Sequence, residues 1–363
     1  MSDATIINTR LFGQVDAGTF DVVLRDGLIE RVEPTGAAPR EGDVVDGGEH
    51  TLVPGLIDTH VHLTDRSELE AAVRAGVTTV VDLGTYPDSL VDSLRRQGRD
   101  GALSDVVSAG SAASAPGSTQ ISLMGFPAES GVTGPDDAER YLRWRASNAA
   151  DLIKIIVEDP DATEVPALSV ETVSALVGGA HRRGLLTVAH VVTAQAFARG
   201  LKAGVDVLTH APLDRPLSAE VLEGLVDSGV TASPTLVMMR TMARARLGDR
   251  AEEAFRVSLG AVRQMHEVGV PIVAGTDANR TAIAPVAHGS SLHEELALLR
   301  EAGLTVPEVV RSATTGAATA FRLDDRGEIA VGKRADLLLV RGDAELAALR
   351  APVAVWAGGR RAV

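Results

Sequence analysis

The sequence predicts an α/β protein, a (β/α)8 TIM barrel with a small β-sandwich domain assembled from both termini. Three observations predict it. Eight short apolar runs alternate with helical patterns through the middle of the chain. Most of those runs lack polar–apolar alternation, as expected of strands buried on both faces. The two ends instead read as short strands and hairpin turns with no long helical period. A chain of 363 residues has room for one such barrel plus an accessory unit.

Residues 4–51 carry the runs TIINTRLF, TFDVVLRDGLIERVEP and DVVDGGEHTLVPG, with a turn signal at Arg25-Asp26-Gly27. They are expected to join the C-terminal runs GEIAVGKRADLLLVRGD and PVAVWAGGRRAV, so that 1–52 and 327–363 form the β domain and 53–326 the barrel. The barrel strands are expected at 52–63, 77–84, 105–110, 151–157, 185–192, 205–210, 231–238 and 271–277. Between them, stretches such as SELEAAVRAG (67–76), SVETVSALVGGAHRRG (169–184) and SAEVLEGLVDSG (218–229) open on a polar cap-type residue and close on Gly, the start and stop signals of helices. A doubly wound open sheet would usually show a glycine fingerprint after its first strand, and none is present. The least regular segment, 111–134, is rich in Gly, Ser and Pro and follows the third strand. A loop that long in a compact domain is more often functional than idle.

Composition narrows the function. Apolar residues make up 45% of the chain, and the formal net charge is −14. So acidic a surface repels phosphate backbones and anionic lipid, which argues against nucleic-acid and membrane partners and for a small-molecule substrate. There are no cysteines, so disulfides, thiolate nucleophiles and cysteine-bound metals are excluded, and any metal must sit on nitrogen and oxygen ligands. MSDATIINTRLFG lacks the basic start and long apolar core of a signal peptide. No apolar stretch approaches the ~18 residues of a membrane span. A cytoplasmic enzyme is expected, its oligomeric state left open, a homo-oligomer included.

The chemistry is carried by residues at the C-terminal ends of the expected strands, the end that holds the active site in barrels of this type. His60 and His62, in LIDTHVHL, are two apart and so aim to one face of a strand. Two converging imidazoles suit Zn²⁺ or a similar ion; the bland alternative is a pair of satisfied polar residues. Ligand-type residues recur at other strand ends: His190 in TVAH, His210 in VLTH and Asp277 in VAGTD. Lys154 stands among four aliphatics in Leu152-Ile153-Lys154-Ile155-Ile156. Burying an unpaired ammonium costs several kcal/mol, so the residue is either snorkelling or ion-paired, or a lysine whose lowered pKa lets the neutral amine take up CO₂. The resulting carbamate has two oxygens and could bridge two metal ions.

The motifs PGLIDTHVHL (54–63), DLIKIIV (151–157), AHVV (189–192), THAP (209–212), AGTD (274–277) and GEIAVGKRADLLLV (327–340) make the chain resemble the amidohydrolase superfamily of metal-dependent hydrolases over essentially its whole length. Within it the chain is similar to the binuclear branch with imidazolonepropionase-like and Xaa-Pro dipeptidase-like members, in which a segment like LHEELALLREAGLT (292–305) also occurs. The resemblance implies that His60, His62 and Asp277 bind the more buried of two divalent metal ions, with Zn²⁺ expected. His190 and His210 then bind the more exposed one, and carbamylated Lys154 bridges both. It further implies a bridging hydroxide that attacks the scissile carbonyl, with Asp277 passing its proton to the leaving group. A small amide is the expected substrate, such as an N-acyl or aminoacyl amino acid or a cyclic amide. An ester, lactone or phosphotriester would serve the same nucleophile, and a non-catalytic scaffold would be expected to lack ligands, whereas all six positions are filled.

Other residues are candidates for substrate contact. Tyr86 follows the second strand in LGTYPD, where a barrel loop reaches the pocket, or it covers the rim. Arg280 lies three residues after Asp277 and could pair bidentately with a substrate carboxylate, or with a neighbouring acid. His288 and His293, in PVAHGSSLHEE, follow the eighth strand, His288 being the candidate contact. His50, His181 and His266 read as structural or helix-capping. After Lys154 the chain runs Val157-Glu158-Asp159-Pro160 where relatives often have a glycine-rich turn. Two acids there favour a cationic substrate or pair with local arginines.

Overall fold

The structure, a computed structural model, describes residues 3–14, 18–40 and 42–363. Met1 and Ser2 of the N-terminal stretch, and residues 15–17 and 41 of the expected β domain, lie outside the described residues. Five strands come first: β1 (Ala4–Leu11), β2 (Phe20–Arg25), β3 (Leu28–Pro34), β4 (Asp43–Asp46) and β5 (His50–Pro54). The central region holds β6 (Leu56–Val61), β7 (Val77–Asp82), β8 (Asp105–Ser108), β9 (Leu152–Ile156), β10 (Leu186–His190), β11 (Val207–Thr209) and β12 (Thr231–Ser233). The C-terminus adds β13 (Leu337–Arg341), β14 (Ala354–Ala357) and β15 (Arg360–Arg361).

The central strands form two parallel sheets, β6-β7-β8 and β9-β10-β11-β12, with helices between consecutive strands. The result is a TIM-barrel-like α/β fold. Between β8 and β9, the Ala113 amide donates to Lys154 O (2.8 Å) and the Ile156 amide to Ala113 O (2.8 Å). The expected eighth strand, 271–277, is not a regular ladder; it makes isolated parallel bridges, Ala232 to Ile272 and Val61 to Ala278. Pro271 has no amide to give, and Asp277 takes a left-handed φ of 58°, so an unbroken ladder is ruled out by its own residues. Its amides and carbonyls still tie both neighbours, through Val273 N to Ala232 O (2.9 Å) and Thr59 N to Ala274 O (3.0 Å). The expected first strand, 52–63, divides at Gly55: β5 pairs with β13 in the terminal sheet and β6 enters the central region.

The terminal strands form one pairing network, β15-β14-β13-β5-β1-β2-β3, with β4 on β1. β1 joins its two parts: Ala4–Ile7 pairs with β4, and Arg10 and Leu11 pair with β5. Alternation along β13 buries both of its faces. Leu337 and Leu339 pack with Ile6, Leu24, Leu52 and Trp356 in the terminal core, while Leu338 and Val340 pack into the main core.

Helices Val170–His181 and Ala219–Ser228 start behind the expected caps Ser169 and Ser218, while the first, Arg66–Arg74, is capped by Asp65, two residues before the expected Ser67; all three side chains accept from first-turn amides. Among the described residues no helix is long and apolar enough to cross a membrane.

The core has two layers that fix which side chains face the centre. Ile57, Val81, Leu152, Leu186, Val188, Val207 and Val273 pack together inside the strands. Leu56, Val80, Ile153, Ile155, Ala189 and Leu208 pack outside, against helices. With a period of two along a strand, Lys154 and His190 share the inner face with Leu152 and Val188.

Candidate metal centre

Alternation alone does not deliver every candidate ligand to one place. Ile57 faces inward, so a regular strand would turn His60 outward. Between Asp58 and Val61, however, β6 shifts register against Val80 and Asp82 of β7. The extra residue of such a bulge re-aims the side chains that follow it. His210 presents the same difficulty. Leu208 faces the outer core, so the next even position should too; a left-handed φ of 81° at His210 swings its ring back inside. Asp277 and Thr235, at φ 58° and 46°, complete a group of three non-glycine residues held in a conformation that is uncommon outside turns and concentrates at functional sites.

The side chains converge. Asp277 Oδ1 lies 3.0 Å from His62 Nε2 and 3.5 Å from His60 Nε2, and Asp277 Oδ2 lies 3.9 Å from His210 Nδ1. Ring centroids are 5.2 Å apart for His60 and His62, 5.0 Å for His60 and His210, and 4.4 Å for His190 and His210. One ligand atom each from His60, His210 and Asp277 fall within 4.8 Å of one another, a spacing that could hold a metal ion. Lys154 is 2% exposed, and its Nζ is buried without a hydrogen-bond partner. Burial pushes its pKa down to about 7, against the opposing charge of Asp277. Burial, reinforced by the charge of Lys154, holds His60 well below its ordinary value; burial holds His210 there too, with His190 and Lys154 adding to it. These are neutral imidazoles, the form that donates a lone pair to a metal.

The rings are oriented by residues that the sequence did not single out. Thr209 Oγ1 lies 2.6 Å from His60 Nδ1, and Thr235 Oγ1 2.8 Å from His210 Nδ1; with Nδ1–H donating, each Nε2 is left free. Asp58 is buried, accepts from Thr276 Oγ1 (2.7 Å) and the His60 amide (3.2 Å), and is pushed up to about 7 by that burial. Thr235 is steered in turn by Glu295, whose oxygens accept from the Leu236 (2.9 Å) and Val237 (2.8 Å) amides at the start of helix Leu236–Arg246. Gly84 is required by close approach: a Cβ there would lie 2.7 Å from His62 Cε1 and Nδ1 and 3.2 Å from Phe126 Cζ.

Glu295 yields a prediction of its own. Glutamine keeps the shape but sets an NH₂ with no lone pair to offer against one of the two amides, whereas either oxygen of the carboxyl, protonated or not, keeps a lone pair, so Glu295→Gln should cost about 1–3 kcal/mol of unfolding free energy. Burial pushes Glu295 up to about 8 from 4.5. The folded state therefore retains a proton that the unfolded state has lost. That contribution is present below the unfolded value and disappears as pH rises through about 8. Urea titrations should show the wild-type advantage shrinking from about pH 5 to about pH 8; a gap that widens with pH would contradict the assignment.

The expected substrate contacts fare differently from the expected ligands. Arg280 does not offer a free fork: its guanidinium lies 2.7 Å from Asp65 Oδ2 and 2.9 Å from Glu68 Oε1. His288 is turned inward, donating from Nε2 to the His62 carbonyl (3.0 Å), where it braces the strand end. His293 donates to Ala75 O (2.8 Å) inside helix packing. Tyr86 is 46% exposed, in the loop that carries Gly84. Asp159 accepts from Thr193 Oγ1 (3.0 Å), and neither it nor Glu158 is ion-paired with an arginine among the described residues.

Residues 51–361 match the amidohydrolase family. The imidazolonepropionase of Deinococcus radiodurans is 28% identical over 362 residues, covering 88% of this chain and 85% of that protein. An uncharacterised protein of Mycobacterium tuberculosis is 26% identical over 338 residues, covering 86% and 84%. The crystal structure of a Xaa-Pro dipeptidase with bound methionine superposes with a TM-score of 0.85 at 24% identity over 99% of both chains, a likeness of fold. The chain belongs to the amidohydrolase family and is a hydrolase acting on carbon–nitrogen bonds.

Proposed function

We propose that the chain is a binuclear metal-dependent hydrolase that cleaves the C–N bond of a small amide, working in the cytoplasm. In this reading residues 53–326 form a closed (β/α)8 barrel, and residues 1–52 with 327–363 form a β-sandwich beside it. The observation that carries the reading is the convergence of His60, His62 and His210 on Asp277, beside a buried lysine whose charge acts on these histidines and whose amine has no hydrogen-bond partner. A buried orphan amine is rare and costly. Carbamylation by CO₂, with loss of a proton, would turn it into a two-oxygen anion, and two divalent cations held there would offset the burial of that charge. The donor set is all nitrogen and oxygen, which suits Zn²⁺ and related ions.

His60, His62 and Asp277 would hold one ion, His190 and His210 the other, and carbamylated Lys154 both. A pair of divalent cations supplies there a water activated at neutral pH and an electrophile for the amide carbonyl. Asp277 accepts the proton of the attacking water on a carboxylate oxygen and returns it to the departing nitrogen. Thr209 and Thr235 hold the His60 and His210 rings in the tautomer that leaves Nε2 free. Names of relatives support amide cleavage on cyclic and dipeptide-type substrates, and an N-acyl or aminoacyl amino acid or a cyclic amide lies within reach of this chemistry.

The test is metal analysis of protein grown with Zn²⁺ and bicarbonate, with hydrolysis assayed on an amide panel and an ester and lactone panel. About two ions per chain and preferential amide cleavage are expected. Ester or lactone cleavage without amide cleavage would move the assignment to the esterase reading. Stripping the metal with a chelator should lower the melting temperature, since ions that bind only the folded state stabilise it by about 2.7 kcal/mol at a hundredfold excess over Kd.

A further inference from the structure

We propose that the substrate presents an uncharged apolar group to the loops after the second, third and eighth strand positions, and carries no carboxylate next to the scissile amide. The inference rests on the hydrolase reading above and narrows it.

Two independent features of the rim point the same way. The first is charge. Among the described residues, the loops leaving the C-terminal strand ends hold two arginines, Arg215 and Arg280, and no lysine, and Arg66 and Arg240 lie in the opening turns of helices that follow. Each lies against a carboxylate: Arg66 with Glu70 (2.8 Å), Arg215 with Asp214 (3.1 Å), Arg240 with Glu294 (2.8 Å), and Arg280 with Asp65 and Glu68 (2.7 and 2.9 Å). Arg280 is bound by two acids, one of them the buried Glu68. Drawing Arg280 away to meet a substrate carboxylate would strand that buried charge, which is costly. Among the described residues no arginine is ion-paired with Glu158 or Asp159, which follow β9, and they make the mouth more negative still. A substrate carboxylate held away from the two cations would meet like charge there and no free arginine to pair with it.

The second feature is exposed apolar surface in the same region. Leu123 is 81% exposed, Ile283 60%, Met124 49% and Tyr86 46%. Leu123 and Met124 belong to the long irregular loop after β8, Tyr86 to the loop after β7, and Ile283 to the segment after Asp277. These loops leave strand positions that are adjacent through the bridges of Val61 with Ala278 and the pairing of β6, β7 and β8. Phe126 carries the patch inward, since its ring and that of His62 both abut Gly84. Leu123 and Met124 precede Phe126 by three and two residues in the same loop, so the exposed apolar side chains belong to the segment whose ring reaches a candidate metal ligand. A bound apolar substituent gains by covering such a surface.

The test uses two matched amides, N-hexanoyl-leucine and N-hexanoyl-3-methylbutylamine, which share the same apolar skeleton and differ by one carboxylate. Each is cleaved by water to hexanoate and the free amine. With enzyme carrying two ions per chain, the carboxylate-free amide should show a kcat/KM higher by about tenfold or more. The double variant Leu123→Ser, Met124→Ser alters only exposed side chains; it should raise KM for that amide by about tenfold with kcat and metal content held. Equal rates, a preference for N-hexanoyl-leucine, an unmoved KM in the double variant, or cleavage of other amides but neither probe would overturn the inference and leave the hydrolase reading standing. Two-metal enzyme inert towards the whole amide panel would overturn both.

Discussion

Replacing Lys154 by methionine is expected to remove metal and activity without unfolding the protein. Methionine matches the length of the lysine stem, so no cavity opens among Leu152, Ile156 and Val188, and it carries no amine to bury. In the metal-free protein the Lys154 amine sits without a hydrogen-bond partner, a position that costs rather than stabilises. The apo variant should therefore melt at the wild-type temperature or above it, as happens when a buried charge gives way to an apolar isostere. The loaded protein should behave oppositely. Losing the group assigned to bridge the two ions should weaken binding by more than the ~10–100-fold commanded by partners that merely orient a ligand. Plasma emission analysis should fall from about two ions per chain to one or fewer, with amide hydrolysis lost. Short carboxylates such as propionate, added to Lys154→Ala, where space is left for them, should restore part of both by supplying the missing oxygens. A variant with wild-type metal content and activity would remove the bridging role; a variant that loses stability before any metal is added would make the lysine structural.

How much of this centre is legible in the sequence depends on how far apart its partners lie. The strands are legible because burial on both faces leaves a local signature. All seven regular strands of the central region overlap an expected run, and the eighth fails as a ladder at the residues that forbid one, Pro271 and Asp277. The six candidate ligands are legible because parallel strands put their ends on one rim, so residues distant in sequence can be sorted by position alone. What aims them is not legible. The bulge in β6 depends on pairing with β7, and the inward turn of His210 depends on a backbone angle that no pattern of residue types encodes. The hydroxyls on His60 and His210 come from Thr209 and Thr235, 149 and 25 positions away. A weak signal existed, since Thr209 precedes His210 in VLTH and Asp58 interrupts the apolar run before His60. Arg280 was open to two readings for the same reason. Its carboxylate partners Asp65 and Glu68 lie more than two hundred residues earlier, and only folding brings them to it.

Asp277→Asn should separate proton transfer from metal holding. Asparagine is close in shape to aspartate and tolerates the left-handed backbone, here a φ of 58°, so the segment that links Ala232 to Val61 should keep its course. Alanine at the same place would lose the polar side chain that makes this conformation accessible and mix strain with chemistry. The amide retains an oxygen that can face a cation but cannot take up a proton near neutral pH. The expected result is a fall in kcat of about 10²–10⁴-fold, the range associated with a positioned general base, with a smaller change in KM and much of the metal retained. The companion Asp277→Glu restores the carboxylate on a longer stem; it should recover metal binding more than rate, because a shift of one ångström in a proton-transfer group can cost about a hundredfold. The two variants together assign the role. If Asp277→Asn loses metal in proportion to its activity, Asp277 is a ligand whose charge is needed for binding and the proton must be carried elsewhere in the centre. If metal remains and the rate collapses, the carboxylate 3.0 Å from His62 Nε2 is the group through which the proton passes from water to the leaving nitrogen.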